Sequence, residues 1–365
     1  MRIARHLGDG TEAFESKVGR ALRRLREEGG IGPGNPGIEL EEVDVSKLLL
    51  TVLQKKKNQI STLEGLANQM DRSPKTVQRA LEELVGLGYN VYCNEGNVSL
   101  TEEDAQREAT QQDNRAGGTV RFGVVSDTHL GAKAERLDVL EDLYQWFSDE
   151  GITTVYHAGN WIEGEFRNSL RERHVHGLDN QIDYFLERYP KVDGLTTEYI
   201  AGDDHEGWYQ QREGISIGRY LESRAQEQGR MDLKYLGYLE HDIEFANSAG
   251  RMIVRIAHPG GGSAYALSYT PQKIVESYSP GEKPDVLIIG HYHKLEYIPA
   301  VRGVRVIQAG CTVDPGTWAR KKRLAYHLGG WIIELDQCPQ TGACRGCTTK
   351  DRTYFDREYH RNWEP

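Results

Sequence analysis

The sequence has no long hydrophobic run and few cysteines, and these two shortages exclude several classes of protein. No apolar stretch approaches the roughly 20 residues that a helix needs to cross a bilayer, so a membrane partner is not expected. The N-terminus, from Met1 to Gly10, lacks the apolar segment of a signal peptide. Five cysteines, an odd number, favour reduced thiols or a metal site over a disulfide framework. We therefore expect a cytoplasmic protein.

The sequence also lacks an excess of positive charge. Its formal net charge is -10, which gives no support for nucleic-acid binding. A local basic patch or bound divalent cations can override such a global sum, so the charge does not exclude nucleic acid either. The length of 365 residues exceeds that of one typical domain, and we expect several domains.

The first hundred residues divide into two parts. A helical pattern followed by a run of glycines and prolines indicates an N-terminal helix and linker over residues 1–43. Apolar residues at helical spacing then predict three helices within residues 44–102, the third of which begins at Ser73 and Pro74. The segment 94–97, Asn-Glu-Gly-Asn, predicts a β-hairpin after them.

Three helices followed by a hairpin resemble the winged helix-turn-helix family. In this family the start of the recognition helix meets a groove of DNA, and that position holds Lys75, Thr76, Gln78 and Arg79 here. Residues 44–101 contain seven Lys and Arg against six Asp and Glu, a sum of +1. The resemblance implies DNA binding, with docking of another protein as the alternative.

The rest of the chain is interpreted as a linker, an α/β domain and a tail. Residues 103–118 are polar and predict a linker, whereas from Thr119 onward β-rich runs alternate with helical ones. This alternation predicts an α/β domain over residues 119–336, with its chemistry at strand ends. The expected strands are 120–125, 153–157, 196–201, 252–257, 285–289, 304–308 and 331–335, and the expected helices are 137–147 and 181–187.

Four groups of metal-ligating residue types directly follow predicted strands. They are 126–129 (Ser-Asp-Thr-His), 159–163 (Gly-Asn-Trp-Ile-Glu), 202–206 (Gly-Asp-Asp-His-Glu), and His258 together with 290–293 (Gly-His-Tyr-His). Carboxylates and imidazoles that converge at strand ends are what a pair of divalent ions needs. Two such ions can hold a bridging hydroxide and clamp a phosphoryl oxygen. One group alone would indicate little, but all four in this order favour a metal centre.

The order of these groups resembles the calcineurin-like metallophosphoesterases, which share D-x-H, G-D-x-x-D/E, G-N-H-D/E, an isolated His and G-H-x-H. The resemblance covers residues 119 to about 335 and implies an α/β fold, a four-layer α/β/β/α sandwich with two divalent metal ions, expected to be Mn²⁺. It also implies a role for His205, which would lie beside the scissile phosphate, stabilise the transition state and protonate the leaving oxygen. The implied metal ligands are Asp127, His129 and His293 for one ion and Asp204, His258 and His291 for the other, with Asn160 as the bridge.

Two positions depart from the family pattern. Position 160 is Asn where the family has its bridging Asp, and position 204 is Asp where the family has Asn. A neutral amide has one good acceptor and an NH₂ group that repels cations, so we expect Asn160 to weaken a metal site and impair the chain. Asn160 is either natural, with Asp204 supplying the charge, or an engineered, disabling substitution. We favour the second, because the rest of residues 159–163 is so close to the family.

Several residues outside these groups are candidates for substrate contacts. Tyr265 follows a run of glycines whose backbone N–H groups can approach a phosphate, although that run also suits a turn into a helix. Arg167, His174 and His176 would bind a phosphate backbone, unless they form a solvated surface. The basic run 320–323 has the same two interpretations.

The C-terminal segment, residues 337–365, combines cysteines with aromatic residues. The spacing of Cys338, Cys344 and Cys347 can hold structural Zn²⁺, although no fourth ligand is obvious, and free thiols are the alternative. The aromatic residues would either stack on bases or dock on the protein.

These observations predict a two-metal-dependent phosphodiesterase in which a metal-bridging hydroxide attacks phosphorus and His205 assists the leaving group. The winged helix points to nucleic acid, so we interpret the chain as a DNA nuclease that is similar to the DNA-repair nucleases of the superfamily. One alternative is a phosphodiesterase or phosphatase for small nucleotides. Another is a non-catalytic DNA-binding regulator on the same fold, which a natural Asn160 would favour.

Overall fold

The computed structural model describes residues 44–56, 59–94, 96–100, 108–114, 118–165, 170–262 and 264–355. The helix and linker predicted within residues 1–43 lie outside these ranges. A first compact unit of the chain ends at Leu48, and only its last five residues are described. A second unit begins at Leu49 and contains everything that follows. No helix in the described ranges is long and apolar enough to cross a lipid bilayer.

The described residues begin with three helices and a small antiparallel sheet. These elements are α1 (Val45–Lys55), β1 (Ser61–Thr62), α2 (Leu63–Met70), α3 (Pro74–Gly86), β2 (Val91–Asn94) and β3 (Asn97–Leu100). β3 pairs with both β1 and β2. The hydroxyl of Ser73 caps α3 by accepting a hydrogen bond from the backbone N–H of Thr76 at 3.1 Å. The helices and the hairpin lie where the sequence pattern predicts them, and the role of a winged helix stays a prediction.

Two six-stranded sheets follow. Their strand orders are β15-β14-β5-β6-β7-β8 and β12-β13-β11-β10-β9-β4. The strands are β4 (Glu108–Asp113), β5 (Gly118–Val125), β6 (Thr154–His157), β7 (Thr196–Ala201), β8 (Leu233–Tyr238), β9 (Glu240–Asn247), β10 (Gly250–Ala257), β11 (Val286–Ile289), β12 (Leu295–Val301), β13 (Val304–Ala309), β14 (Gly329–Gln337) and β15 (Cys344–Thr353). The helices are α4 (Leu137–Asp149), α5 (Leu178–Arg188), α6 (Gly207–Glu213), α7 (Ile217–Glu227), α8 (Tyr269–Ser277) and α9 (Thr317–Lys322).

The two sheets pack face to face, and helices cover their outer faces. Successive side chains of a strand point to opposite faces, so Val124 packs between the sheets whereas Val125 packs against helices. α4, α5 and α7 contribute to the same core cluster as Val125. On the second sheet, Val275 of α8 packs against Leu287 and Ile289. The layers therefore follow the expected α/β/β/α order.

The strands are arranged so that the predicted site residues meet. β5, β6 and β7 are parallel neighbours, and so are β10, β11 and β13. Each of the four predicted metal-ligating groups follows the end of one of these strands, and carboxyl ends of parallel strands lie at the same edge of a sheet. β5, which leads to Asp127, has β6 on one side and β14 on the other.

Residues 49–100 are attached to the segment between α6 and α7 by backbone hydrogen bonds. The N–H of Asn90 donates to the carbonyl of Gly214 at 3.0 Å, and the N–H of Ser216 donates to the carbonyl of Gly88 at 2.6 Å. Leu100 packs so closely on Gly214 that a Cβ atom there would lie 2.6 Å from its side chain. These two hydrogen bonds flank an antiparallel β-bridge between Tyr89 and Ile215, which attaches the helices and the small sheet to the α/β domain.

Two expectations about segments change. Residues 103–118, expected as a linker, contain the edge strand β4, which pairs in parallel with β9. Polar residues suit this edge because their side chains bond within the fold: Thr110 Oγ1 lies 2.8 Å from His241 Nε2, and Gln112 donates to Tyr156 at 3.1 Å. The expected tail, residues 337–365, contains β15, which pairs with β14. β4 and β15 are edge strands of their sheets. Solvent reaches one side of such a strand, so its sequence contains few hydrophobic residues by which a strand could be predicted.

Candidate metal centre

The first predicted ligand triad, Asp127, His129 and His293, is gathered around one point. Asp127 Oδ1 lies 3.1 Å from His293 Nε2 and 3.7 Å from His129 Nε2. The two imidazole nitrogens are 3.3 Å apart, and all three side chains are buried. Ligands that are about 2.1 Å from one ion lie about 3 Å from each other. The three atoms therefore have the spacing of ligands to a single cation.

Neighbouring groups orient this triad. Ser126 Oγ donates to Asp127 Oδ2 at 2.6 Å, and the backbone N–H of His291 donates to the same oxygen at 2.9 Å. Nδ1 of His129 lies 3.0 Å from Glu163 Oε2. A carboxylate on the far nitrogen of a ligating imidazole fixes the tautomer that presents the near nitrogen to a metal. Asp127 Oδ1 and His129 Nε2 are thereby left to face the common point.

The second predicted triad, Asp204, His258 and His291, is gathered in the same way. His258 Nε2 lies 3.8 Å from Asp204 Oδ1, and His291 Nδ1 lies 3.6 Å from Asp204 Oδ2. The other nitrogen of each ring donates to a backbone carbonyl: His258 Nδ1 to Ala158 at 2.5 Å and His291 Nε2 to Gly261 at 2.7 Å. Both rings therefore present their remaining nitrogen towards Asp204.

Asn160 lies between the two triads. Its Nδ2 donates to Asp127 Oδ1 at 3.3 Å, and its backbone N–H donates to Glu206 Oε1 at 2.8 Å. On the other side its Oδ1 would lie 2.8 Å from a Cβ atom at Gly202, and His258 Cδ2 would lie 2.6 Å from the same atom. Only glycine lets the backbone come this close to the bridging position and to the second triad.

The donor set fits divalent cations. Among the buried polar atoms that have no hydrogen-bond partner within the described residues are four that face the second triad and the bridging position: Asn160 Oδ1, Asp204 Oδ1, His258 Nε2 and His291 Nδ1. An unsatisfied buried polar atom costs about 1–3 kcal/mol, so four around one place require a partner. Imidazole nitrogens and carboxylate oxygens are common ligands of Mn²⁺, Fe²⁺ and Zn²⁺, and a cation bound there would satisfy all four atoms.

Burial and neighbouring charges set the protonation of the site. Burial opposes ionisation of Asp127, but His293 and His129 outweigh it and hold the pKa of this carboxyl well below its usual range. Burial also opposes ionisation of Asp204, and its histidine neighbours lower its pKa as well. Burial raises the pKa of Glu206 to about 7. Both carboxylates of the triads are therefore charged at neutral pH.

The backbone of the site is strained. Ten described residues other than glycine have positive φ, and six of them are Asp127, His129, Asn160, His205, His291 and His293. This conformation is uncommon for residues with a side chain, and it concentrates at functional sites because packing enforces a geometry that the local chain disfavours. The concentration of positive φ marks these loops independently of their residue types.

His205 lies against the first triad. Its Nδ1 donates to the backbone carbonyl of Glu163 at 2.8 Å, and it lies 3.6 Å from Glu163 Oε2. Burial, followed by the nearby His129, lowers the pKa of His205. Sequence reasoning assigned no role to Glu163 or Glu206, although both belong to the motif groups. The sequence feature that could have identified them is their position, because each is the acidic residue at the end of its motif group.

A cavity of about 380 Å³ adjoins both triads. Members of each triad line it, together with Asn160 and His205. Further parts of the lining are the backbone of 260–262 and a group of apolar residues that includes Trp318 and Tyr326. A cavity of this size can hold a nucleotide-sized group, and a group bound in it would lie beside the candidate metal ligands.

The sequence profile of the calcineurin-like phosphoesterase superfamily domain matches residues 120–328, more than half of the chain. The chain belongs to this superfamily. It is therefore a phosphoesterase-type hydrolase whose fold implies divalent metals, as the two triads indicate. No curated protein sequence matches the chain.

Solved structures of phosphoesterases are similar to the chain at low sequence identity. YfcE, a phosphoesterase from E. coli, is 12% identical, with 63% of this chain and 98% of that one covered and a TM-score of 0.33. A phosphatase from Mycoplasma pneumoniae is 13% identical, with 67% and 98% covered and a TM-score of 0.36. A dimetal phosphatase from Danio rerio is 10% identical, with 63% and 98% covered and a TM-score of 0.31. Similarity of this degree supports no conclusion about the substrate.

The predicted substrate contacts of the phosphoesterase domain lie outside the cavity lining, or outside the described residues. His174 Nε2 lies 3.0 Å from Glu135 Oε1, and His176 Nδ1 accepts a hydrogen bond from Arg173 at 3.0 Å. Tyr265 is fully exposed. None of the three lines the cavity. Arg167 falls within 166–169, which the structure does not describe, and all four assignments stay predictions.

The remaining candidate sites are the C-terminal cysteines and the start of α3. Cys338, Cys344 and Cys347 are free thiols, and they form no potential metal-binding group within the described residues. Cys338 Sγ donates to Gln340 Oε1 at 3.3 Å, so nothing in the described residues supports the zinc interpretation over free thiols. At the start of α3, Lys75 and Arg79 are exposed. Thr76 bonds to Ser73 and Gln78 to Glu82, and the role of these α3 residues in DNA binding stays a prediction.

Proposed function

We propose that the chain is a two-metal phosphodiesterase that cleaves nucleic acid, with DNA as the expected substrate. The observation that carries this proposal is the geometry of the site: two His/Asp triads, with Asn160 between them and His205 beside them, adjoin one cavity. Two metal positions that share a bridging residue are the arrangement that hydrolysis of a phosphoester needs.

The triads would bind the metal ions, and His205 would transfer a proton. Asp127, His129 and His293 would hold one divalent ion, and the other triad would hold the second, with Mn²⁺ as the expected ion. When bound, the ions supply the positive charge that stabilises a phosphoryl transition state. His205 donates from Nδ1 to the carbonyl of Glu163, so Nε2 is the atom that would exchange a proton with the leaving oxygen.

Asn160 would lower the metal affinity and the rate of hydrolysis of this chain. In the bridging position its amide nitrogen points to Asp127, and an NH₂ group cannot bind a cation. Only its Oδ1 can bind a metal, so the second contact that a bridging carboxylate would make is missing. We therefore expect weaker metal binding and slower hydrolysis than an Asp at this position would give.

Two surface features support nucleic acid as the substrate. The small helical region with Lys75 and Arg79 is attached to the α/β domain by backbone hydrogen bonds, so it cannot turn freely. α9 carries the exposed basic run 320–323 beside the cavity. Positive side chains near a phosphodiester site attract a nucleic-acid backbone. A duplex-binding assay of the Lys75→Ala/Arg79→Ala double variant tests the first feature: unchanged affinity would indicate that the region docks a protein.

The proposal is tested by comparing the chain with its Asn160→Asp variant. Both are incubated with Mn²⁺ and labelled single- and double-stranded DNA, and with a chromogenic phosphodiester, with and without a chelator. Asn180→Asp is a matched control, because the side chain of Asn180 is exposed and donates to the carbonyl of His176, away from the cavity lining. We expect Asn160→Asp to cut DNA faster than the chain itself, and Asn180→Asp to behave like the chain.

Other results would assign another function. Hydrolysis of the small diester alone, by both proteins, would indicate a phosphodiesterase for small nucleotides. If the Asn160→Asp variant binds DNA but neither binds Mn²⁺ nor hydrolyses any ester, the chain is a non-catalytic regulator. Hydrolysis that persists in the presence of the chelator would contradict the two-metal proposal.

A further inference from the structure

The cavity extends beyond the candidate metal ligands to an apolar wall. This wall, which we call the aromatic wall, consists of Val313, Trp318, Ala319, Leu324 and Tyr326. Trp318 lines the cavity although its side chain is 48% exposed. The ring of Tyr326 lies against that of His293, a member of the first triad, with the two centroids 4.0 Å apart. A phosphoryl group alone would leave these surfaces uncovered, whereas an apolar planar group beside the phosphate would cover them.

The helix that carries Trp318 is also the most basic in the described part of the chain. Arg320, Lys321, Lys322 and Arg323 are exposed, and no ion pair with a carboxylate is found for them in that part of the chain. Residues three and four apart are neighbours on a helix surface, so Lys321 and Lys322 lie next to Trp318. An aromatic ring for a base and cations for the adjoining phosphates are the two elements that bind an unpaired strand.

The aromatic wall is anchored to the domain. Glu172 Oε2 accepts a hydrogen bond from the backbone N–H of Thr317 at 3.0 Å, and a Cβ atom at Gly316 would lie 1.8 Å from the same oxygen. Arg320 Nε donates to the carbonyl of Pro315 at 2.8 Å, and Ala319 is buried. Trp318 is therefore presented by a fixed turn of helix rather than by a loose loop.

Two acidic residues line the cavity next to the wall, Asp314 and Glu172, and both are bonded to neighbouring groups. Asp314 lies 3.4 Å from the guanidinium of Arg136. Glu172 accepts a hydrogen bond from the backbone N–H of Thr317 at the start of α9. Beside Trp318 the four cations of residues 320–323 outnumber these two carboxylates, in contrast to the net charge of -10 for the whole chain.

We propose that the aromatic wall binds an unpaired base next to the scissile phosphate, and that the enzyme acts on single-stranded nucleic acid. This inference rests on the proposed phosphodiesterase function. A base in a duplex is paired and stacked and has to leave the helix before it can enter a protein pocket, which costs a few kcal/mol. Single strands avoid that cost, and the preference follows from the position of Trp318.

The test measures binding of two labelled oligomers to the full chain in Mn²⁺ by fluorescence anisotropy. One oligomer is an oligothymidine, and the other is an abasic deoxyribose-phosphate backbone of the same length. The variants are Trp318→Ala, Trp318→Phe and Tyr269→Ala. Tyr269 is a matched control, because it is 54% exposed and does not line the cavity.

We expect Trp318→Ala to bind oligothymidine roughly 5- to 100-fold more weakly, the loss of one stacked base. Affinity for the abasic backbone should not change, Trp318→Phe should retain most of the affinity for oligothymidine, and Tyr269→Ala should bind like the chain itself. A duplex of the same sequence should bind more weakly than the single strand. Unchanged abasic binding also shows that the variant is folded.

Three results would overturn the inference. They are an equal loss of affinity for both oligomers, no loss for either, and no measurable binding of oligothymidine to the chain. Hydrolysis of the chromogenic diester by the Asn160→Asp protein, with and without Trp318→Ala, is recorded in parallel. If the diester is hydrolysed but Trp318→Ala changes the affinity for both oligomers equally, only the inference about the aromatic wall fails. If no ester is hydrolysed in Mn²⁺, the phosphodiesterase proposal fails, whatever Trp318 binds.

Discussion

The imidazole rings of His129 and His205 meet edge to face, with their centroids 4.2 Å apart. Glu163 joins the two. Its carboxylate lies 3.0 Å from Nδ1 of His129, and its backbone carbonyl accepts a hydrogen bond from Nδ1 of His205 at 2.8 Å. One residue thus positions a candidate metal ligand with its side chain and a candidate proton donor with its main chain. The two roles can be separated by substitution.

His205→Gln should lower kcat more for esters whose leaving group has to be protonated than for esters whose leaving group departs as an anion. A positioned general acid contributes about 10²- to 10⁴-fold, and a leaving group that departs unprotonated does not need it. We expect a large loss with an alkyl phosphodiester and a small one with a nitrophenyl ester, in steady-state assays in the Asn160→Asp background. Tyr269→Phe is the control, because Tyr269 is exposed and does not line the cavity. Equal losses with both esters would argue against a role in proton transfer.

Glu163→Gln should weaken metal binding by about 10- to 100-fold, the usual effect of altering the partner of a ligating imidazole. The backbone carbonyl is unchanged, so the difference between the two leaving groups should persist. Mn²⁺ affinity by calorimetry and kcat for both esters are the measurements. Glu135→Gln is a matched control, because Glu135 also lies 3.0 Å from an imidazole nitrogen, that of His174. Equal metal affinities in the two variants would contradict the assignment.

Gly290→Ala should destabilise the fold and disturb the second triad. The added Cβ would lie 2.3 Å from the carbonyl oxygen of Ala158, 2.4 Å from Ser126 Oγ and 2.7 Å from His258 Nδ1. Overpacking of this kind costs about 1–3 kcal/mol, which urea unfolding measures. At Gly281 a Cβ meets nothing within 4 Å, so Gly281→Ala should unfold at the same urea concentration as the chain. Similar midpoints for the two variants would show that the loops at the site are adaptable.

The buried ion pair between Arg255 and Asp242 should matter more than the exposed pair on the same two strands. Arg255 Nε lies 2.7 Å from Asp242 Oδ1, and both side chains are nearly inaccessible. Asp242→Ala leaves a buried guanidinium without its partner, which costs about 3–5 kcal/mol. Glu244→Ala removes the carboxylate that pairs with Arg251, whose side chain is 60% exposed, and should cost about 1 kcal/mol or less. Equal losses in urea unfolding would contradict this ranking.

The residues of the metal centre could be predicted because their signal is local. Each of the four groups directly follows a β-rich run, and the strand predicted over residues 196–201 coincides with β7. The division of these residues into two triads came from the resemblance to the calcineurin-like family, and the structure brings the members of each triad together. Every other strand and helix predicted from residue 119 onward is also present, with shifts at its ends.

What could not be predicted depends on distant partners. β4 is polar because the hydrogen bonds of Thr110 and Gln112 reach β9 and β6, and no periodicity in its own sequence reveals them. The aromatic wall is similar: Trp318 and Tyr326 follow the last predicted metal ligand by about 30 residues, and only the fold brings them to the cavity. The function of Glu163 also requires two contacts that only the folded chain shows.

The pairing of β14 with β5 defines the smallest fragment that can be expected to fold. The family profile ends at residue 328, and β14 begins at Gly329. A fragment cut at that boundary would expose the hydrogen-bonding edge of the strand that leads to Asp127, and would remove Trp331 and Ile333 from between the sheets. The autonomous folding unit of the enzyme therefore reaches past its recognisable sequence, at least to the end of β14, and a shortened expression clone should respect that limit.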